Sequence, residues 1–543
     1  MTPRMAHAST LVGAVHTALV VSLVGASAAR AQLPATGSAA PSLVVLITVD
    51  QMRADYYDRF KQHMQFGLPR LFEQGAVFTE AYQDHAYTET APGHASTLSG
   101  RFPVHTGIAT NAAGVNTAAV SVLGGGPADQ GASPFRFRGT TLVDWMRAAN
   151  PATRFLSVSR KDRGAILPIG TAKGDVYWFT SAAQFSTSTY YADTLPTWVR
   201  RFNDRRLPAT WAGAVWRPMY GAATYAEPDS VPVENGGKDF VFPHTMPRDP
   251  AAADTAITQF PWMDDITLQF ALDGVQRLGL GAMAGRTDLL AVSLSTTDAI
   301  GHRYGPDSKE LHDHLLQLDR FLGTFLDSLY KLRDSSRVVI ALTSDHGMTP
   351  YPTLKSSVEP NEGAQRVDLA PTWAMFRERL ARVEGADTEV RFADNILTLP
   401  VLGLALRKLN PDSVAESFVT EVMRVQGVMR ADLVSRLPAA DTVKDAIARR
   451  WLHVLAPSKD TVQVVVTFTP HSYAASVTYA THGSPHDGDA HVPLVFRGPG
   501  IRAGRVTAFA RVVDLAPTLA ALLGVRPLEP LDGRPLTAAL RLP

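Results

Sequence analysis

Cysteine is absent from all 543 residues. That excludes disulfides, thiolate metal sites, a cysteine nucleophile and lipid attachment through an N-terminal cysteine. Net charge is nearly absent as well, since 52 basic and 51 acidic side chains leave a formal +1. A nucleic-acid binder would carry a basic excess or stripe, so no nucleic-acid partner is expected. No stretch past Ala31 reaches the roughly 18 uninterrupted apolar residues of a membrane helix, and there is no internal repeat or low-complexity tract. What is present is 45% hydrophobic and 19% charged residues, enough to bury one large core or two moderate ones.

The first 31 residues read as a signal peptide, leaving 32–543 as the mature domain. Arg4 supplies a positive start, "LVGAVHTALVVSLVGA" (Leu11 to Ala26) an apolar middle, and Ala29 with Ala31 an A-x-A pattern before Gln32. The expected location is therefore the periplasm or the exterior, with no membrane span after removal of the signal.

Short apolar runs rich in Val, Ile and Leu recur along the chain. They are "SLVVLITVD" (Ser42 to Asp50), "RFLSVSRKDR" (Arg154 to Arg163), "DLLAVSLSTTD" (Asp288 to Asp298), "RVVIALTSDHG" (Arg337 to Gly347) and "HVPLVFRGPG" (His491 to Gly500). Continuous rather than alternating hydrophobicity predicts strands buried on both faces of a mainly parallel sheet. Helical spacing between them, as in Ser308 to Leu332 and Asp514 to Val525, completes an α/β fold with helices on both faces. Two stretches, about 168–285 and 351–479, break the rhythm and are expected to be insertions that cap the sheet.

Ligands of such sheets bind beyond the carboxyl ends of the strands, and that is where chemically useful residues gather. "TTDAIGHRYGP" puts Asp298 and His302 four apart, "TSDHGM" puts Asp345 beside His346, and "TVDQMRADY" adds Asp50. "ATHGSPHDGDAHVP" adds His482, with His486 and His491 as alternatives. Carboxylates and imidazoles without sulfur fit catalytic zinc, and six ligands suffice for two ions with open positions.

These motifs, with "TETAPGHAS" around Thr90, resemble the alkaline phosphatase superfamily in both content and order over nearly the whole mature chain. The resemblance implies two zinc ions, one held by Asp298, His302 and His482, the other by Asp50, Asp345 and His346. It implies Thr90 as attacking group and ligand of the second ion, with Thr88 off the motif, Ser96 and Ser99 on the following helix, and His94 structural. Threonine and the absence of a C/S-x-P-x-R motif set the chain apart from sulfatases and point to two branches. One is the nucleotide pyrophosphatase/phosphodiesterases, the other the phosphate-irrepressible, PafA-like alkaline phosphatases. Lys161 and Arg163 in "SVSRKDRGAI" resemble the Lys-x-Arg pair of the second branch, and Asn111 in "GIATNAAG" matches its phosphate-contacting asparagine. Two cations complement the extra negative charge of a monoester, and Arg can hold two oxygens in a fork. Arg160 is expected to point to the opposite face. The expected activity is hydrolysis of small-molecule phosphate monoesters through a phosphothreonine, with a phosphodiesterase as the alternative.

Overall fold

A computed structural model describes residues 40–352, 354, 363–478 and 480–541. The signal-peptide expectation for 1–31 and part of the second long stretch lie outside the described residues.

Nine strands make the main sheet. They are β1 (Leu43–Val49), β2 (Ala76–Phe78), β3 (Phe155–Ser159), β4 (Asp175–Phe179), β5 (Phe185–Ser186), β6 (Asp288–Leu294), β7 (Val338–Thr343), β8 (Leu494–Arg497) and β9 (Gly504–Val506). Their spatial order is β9-β2-β8-β7-β1-β6-β3-β4-β5. All run parallel except β8, inserted between β7 and β2, and β5 at one edge.

Burial on both faces explains the unbroken apolar runs. Leu43, Val45, Ile47 and Val49 of β1 enter one hydrophobic cluster, with Met263 and Ile266 of α4 (Trp262–Arg277) and Leu315, Leu322 and Phe325 of α6 (Lys309–Leu332). Val44 and Leu46 enter the other. There they meet Ala91, Ala95 and Leu98 of α1 (Thr90–Ser99), Leu142 and Trp145 of α2 (Leu142–Ala149), and Leu515 and Leu519 of α7 (Leu515–Leu523). Each full burial stabilises by about 1.5–3 kcal/mol, so neither face of β1 tolerates a charge. The helix ends follow local rules. Ser308 Oγ caps α6 by accepting from the Leu311 amide at 3.1 Å, and α7 stops at Gly524 with φ 67°.

The two long stretches behave differently. The first, expected to cap the sheet, begins by extending it, because β4 and β5 both fall inside 168–285 and α4 packs on the core. The β4 sequence, "DVYWF", is short and aromatic rather than Val/Ile/Leu-rich, so the aliphatic-run criterion passed over it. Within the second stretch an antiparallel sheet of four strands forms in the order Arg391–Ala393, Ile396–Pro400, Thr461–Phe468, Val428–Leu433. It has its own core, in which Leu397 and Val464 meet Phe376 and Phe418 from two flanking helices.

Candidate active site

The neighbouring strands β7, β1, β6 and β3 all end at one rim, and each delivers charge just beyond its last residue. Asp345 and His346 follow β7, Asp50 follows β1, and Lys161 follows β3 at the start of α3 (Asp162–Ile166). Asp298 lies in the first turn of α5 (Thr296–Tyr304), one turn before His302. The helix α1 begins at Thr90 against the same rim. Its close approach depends on Gly93, where a Cβ would stand 2.2 Å from the Asp345 carbonyl oxygen.

The three imidazoles share one orientation. Each Nδ1 donates to a backbone carbonyl, His302 to Ala480 at 2.7 Å, His346 to Gly347 at 2.9 Å and His482 to Thr88 at 2.7 Å. A carbonyl accepts only from a protonated Nδ1, so in the neutral form each Nε2 carries a lone pair directed away from the backbone. The ligand atoms fall into two compact groups, Asp298 with His302 and His482, and Asp50 with Asp298 and His346. Asp298 Oδ1 lies 3.2 Å from His302 Nε2 and 3.7 Å from His482 Nε2, while Asp50 Oδ1 lies 3.5 Å from His346 Nε2. Asp345 stands beside the second group: its Oδ2 is 3.7 Å from His346 Nε2 and 3.0 Å from His94 Nδ1. The alternatives to His482 are engaged elsewhere, His486 Nε2 with the Phe468 carbonyl and His491 Nε2 with that of Thr79.

These residues fit bound cations. Asp50 Oδ1 and His346 Nε2 are buried without a hydrogen-bond partner, which is costly unless a cation lies between them. Oxygen and imidazole donors alone suit divalent first-row ions. The electrostatics agree. Burial, then the charges of Asp298 and Asp345, pushes the Asp50 carboxyl up to about 6. Burial would raise Asp298 too, but the Lys161 ammonium and then His302 hold it well below the usual carboxylate range. Asp345, equally buried, is held low by His346 and His94. Burial and the neighbouring His346 and His302 push the His482 imidazole well down, keeping it neutral and able to act as a ligand.

The hydroxyls around Thr90 sort themselves by partner. Thr88 donates to the Ser484 carbonyl, Ser96 to Pro92, Thr97 to His94 and Ser99 to Ala95, at 2.6–2.9 Å. Thr90 Oγ1 instead accepts from Lys161 Nζ at 3.3 Å. That ammonium also lies 2.6 Å from Asp50 Oδ2 and 2.7 Å from Asp298 Oδ2, linking both ligand groups to the threonine. His94 is buried, with Nδ1 2.9 Å from the Thr90 carbonyl and Nε2 2.8 Å from Ser293 Oγ. Asn111 Oδ1 accepts from the Ala91 amide at 2.8 Å, which leaves the side-chain NH2 to donate. The Arg163 side chain is 30% exposed and lies 3.7 Å from Asp162 Oδ1; burial raises the Glu89 carboxyl, and the Asn111 amide, His346 and Arg163 offset only part of that. Arg160 is half-buried, its Nη2 donating to the Ser295 carbonyl at 3.3 Å; burial lowers its guanidinium, and the charges of Asp298 and Asp50 act on it in the opposite sense.

Two supporting residues escaped sequence reasoning. Gln51, at φ 68°, joins Asp345 to Asp298: its amide donates to Asp345 Oδ1 at 3.1 Å and its Nε2 to Asp298 Oδ1 at 3.0 Å. The available signal was Gly301, inside α5, where a Cβ would meet Gln51 Oε1 at 1.9 Å. Glu89 accepts from the Asn111 amide at 2.6 Å; its position before Thr90 carries no motif signal.

An α/β sheet that gathers such an acid–histidine centre around one hydroxyl at a helix start is the architecture of the alkaline phosphatase superfamily. Within it, residues 44–422 match the family described as type I phosphodiesterase / nucleotide pyrophosphatase, and the chain belongs to that family. Its curated relatives include alkaline phosphatase PhoV of Synechococcus elongatus, 30% identical over 93% of this chain and 94% of that one. Alkaline phosphatase PafA of Elizabethkingia meningoseptica is 29% identical over 92% and 94%, and PhoK of Sphingomonas sp. 30% identical over 91% and 90%. The crystal structure of PafA superposes with a TM-score of 0.85 at 27% identity, covering 93% of this chain and all of that one. A PafA variant with one threonine, one asparagine, one lysine and one arginine replaced gives 0.83 at 26% identity, covering 93% of this chain and 100% of the other.

Proposed function

We propose that this protein is an exported, metal-dependent phosphate monoester hydrolase that works through a phosphothreonine at Thr90. The observation that carries the reading is the environment of that hydroxyl: among its neighbours in α1 and the preceding loop, Thr90 alone keeps its proton off the backbone carbonyls and faces Lys161 and the two ligand groups. The alkaline phosphatase relatives span nearly the whole chain and support it. In the PafA variant the replaced threonine and asparagine, and the lysine and arginine, are separated by the same intervals as Thr90 and Asn111, and Lys161 and Arg163.

Two zinc ions, one held by Asp298, His302 and His482 and the other by Asp50, Asp345 and His346, would supply Lewis acidity for the threonine alkoxide and the leaving oxygen. Thr90 Oγ1 attacks phosphorus, forming one P–O bond as the bond to the alcohol breaks. Water then cleaves the phosphothreonine, releasing inorganic phosphate and restoring the hydroxyl. Lys161, Arg163 and the Asn111 NH2 balance charge on the oxygens that are not transferred; losing one such donor costs roughly 10²–10³ in rate.

The family match favours a second reading, a phosphodiesterase. The test compares kcat/KM for p-nitrophenyl phosphate and bis-p-nitrophenyl phosphate with zinc supplied, in the wild type and in a Lys161→Ala/Arg163→Ala variant. The expected result is a monoester preference of orders of magnitude that the double variant largely removes. A diester preference would overturn the substrate class and leave the metal centre standing. The signal sequence is tested separately, by the N-terminus and location of the mature protein in its host, with a start at Gln32 expected.

A further inference from the structure

Asn111 lies on an exposed loop, yet the role given to it demands a fixed direction. The loop carries few constraints of its own: the Gly114 amide donates to the Asn111 carbonyl at 3.1 Å, closing a short turn. The remaining two holds come from the segment bearing the nucleophile. The Ala91 amide takes Asn111 Oδ1, and the Glu89 carboxylate takes the Asn111 amide N–H at 2.6 Å. Glu89 is therefore the residue before the nucleophile and also a clamp on the substrate-facing asparagine. Its backbone carbonyl simultaneously starts α1 by accepting from Gly93 at 3.0 Å. A carboxylate beside a site built for a phosphate dianion works against binding by charge, and Arg163 is near enough to offset part of it. Glu89 is half-buried rather than freely solvated.

We propose that Glu89 is a positioning residue that sets the direction of the Asn111 side chain, so that the asparagine donates to the transferred phosphoryl group. This rests on the monoesterase reading above. What matters is reach, not charge: the acceptor oxygen must span from the Glu89 backbone to the Asn111 amide. Glutamine has the reach without the charge, and aspartate has the charge without the reach.

The experiment measures kcat and KM for p-nitrophenyl phosphate, and the thermal midpoint, for the zinc-supplied wild type and the variants Glu89→Gln, Glu89→Asp, Asn111→Ala and Glu89→Asp/Asn111→Ala. Glu89→Gln is expected within about threefold of wild type in kcat/KM, because its amide oxygen accepts the same bond. Glu89→Asp is expected to fall about tenfold or more, with the same division between kcat and KM as Asn111→Ala, since small misplacements of a catalytic donor are costly. The double variant should be no worse than Asn111→Ala alone. Full activity in Glu89→Asp, a multiplied loss in the double variant, or Glu89→Gln as impaired as Glu89→Asp would each overturn the proposal while leaving the enzymatic reading intact. An Asn111→Ala enzyme with undiminished activity would overturn both the clamp and the role of the asparagine.

Discussion

At the residue scale the site depends on single atoms that are missing as much as on those present. Gly93→Ala would press a methyl group to 2.2 Å from the Asp345 carbonyl oxygen and 2.7 Å from its Cα. Both are backbone atoms that cannot rotate away, so the helix must retreat from the rim. The expected cost is about 1–3 kcal/mol of stability, together with a fall in kcat greater than that of Ala91→Gly, measured by urea unfolding and single-turnover kinetics. Glycine, Asp and His are easy to pick out in a sequence when they follow an apolar run, and the four strand-end motifs brought the metal centre into view in this way. Gln51 and Glu89 were hidden because their function lies in contacts across 247 and 22 positions of sequence. Nothing local to either residue encodes its partner. Asn111 was legible only through resemblance, since its turn geometry is ordinary.

At the scale of elements, the segment between β2 and α1 is locked to the helix Ala446–Leu452 of the second long stretch. Asp84, fully buried, accepts from Arg449 Nε and Nη2 at 2.8 and 3.0 Å and from Arg450 Nε at 3.3 Å. Arg450 Nη1 goes on to the Pro485 carbonyl at 2.6 Å, in the loop that carries His482. Asp84→Asn should destabilise the protein by about 1.5–3 kcal/mol, because it weakens charge-assisted bonds to two guanidiniums and leaves the buried Arg450 with Asp487, at 2.8 Å, as its counter-charge. It should also weaken metal binding at the group containing His482, read by competition with a chromogenic chelator. Strands dominated by aliphatic residues were predictable, as was the long amphipathic α6. The aromatic β4 and the two-residue β5 were not, because their burial comes from tertiary packing on α4 rather than from a local pattern.

For the molecule as a whole, removal of metal is the informative perturbation. Asp50, Asp298 and Asp345 are all buried at one rim, with Lys161 as their shared cation. Ligands that bind only the folded state stabilise it, by about 4 kcal/mol at a thousandfold excess over Kd. Chelation should therefore lower the thermal midpoint, and zinc should restore it. Asp50 sets the pH sense of rebinding: with its carboxyl pushed up to about 6, protons compete with the metal as pH falls through that value. Zinc affinity measured by titration calorimetry should drop below pH 6 and go on rising above it, because the Asp298 charge, against opposing burial, also holds the His302 imidazole above its usual value.

The placement of β8 has a consequence for how the protein is made. This strand, Leu494–Arg497, lies between β7 and β2 and is hydrogen-bonded to both. A chain growing from its N-terminus holds an open slot in its central sheet until those residues emerge, and His482, just ahead of them, arrives at nearly the same moment. Closure of that central slot and completion of the metal centre are thus tied to one late event in synthesis.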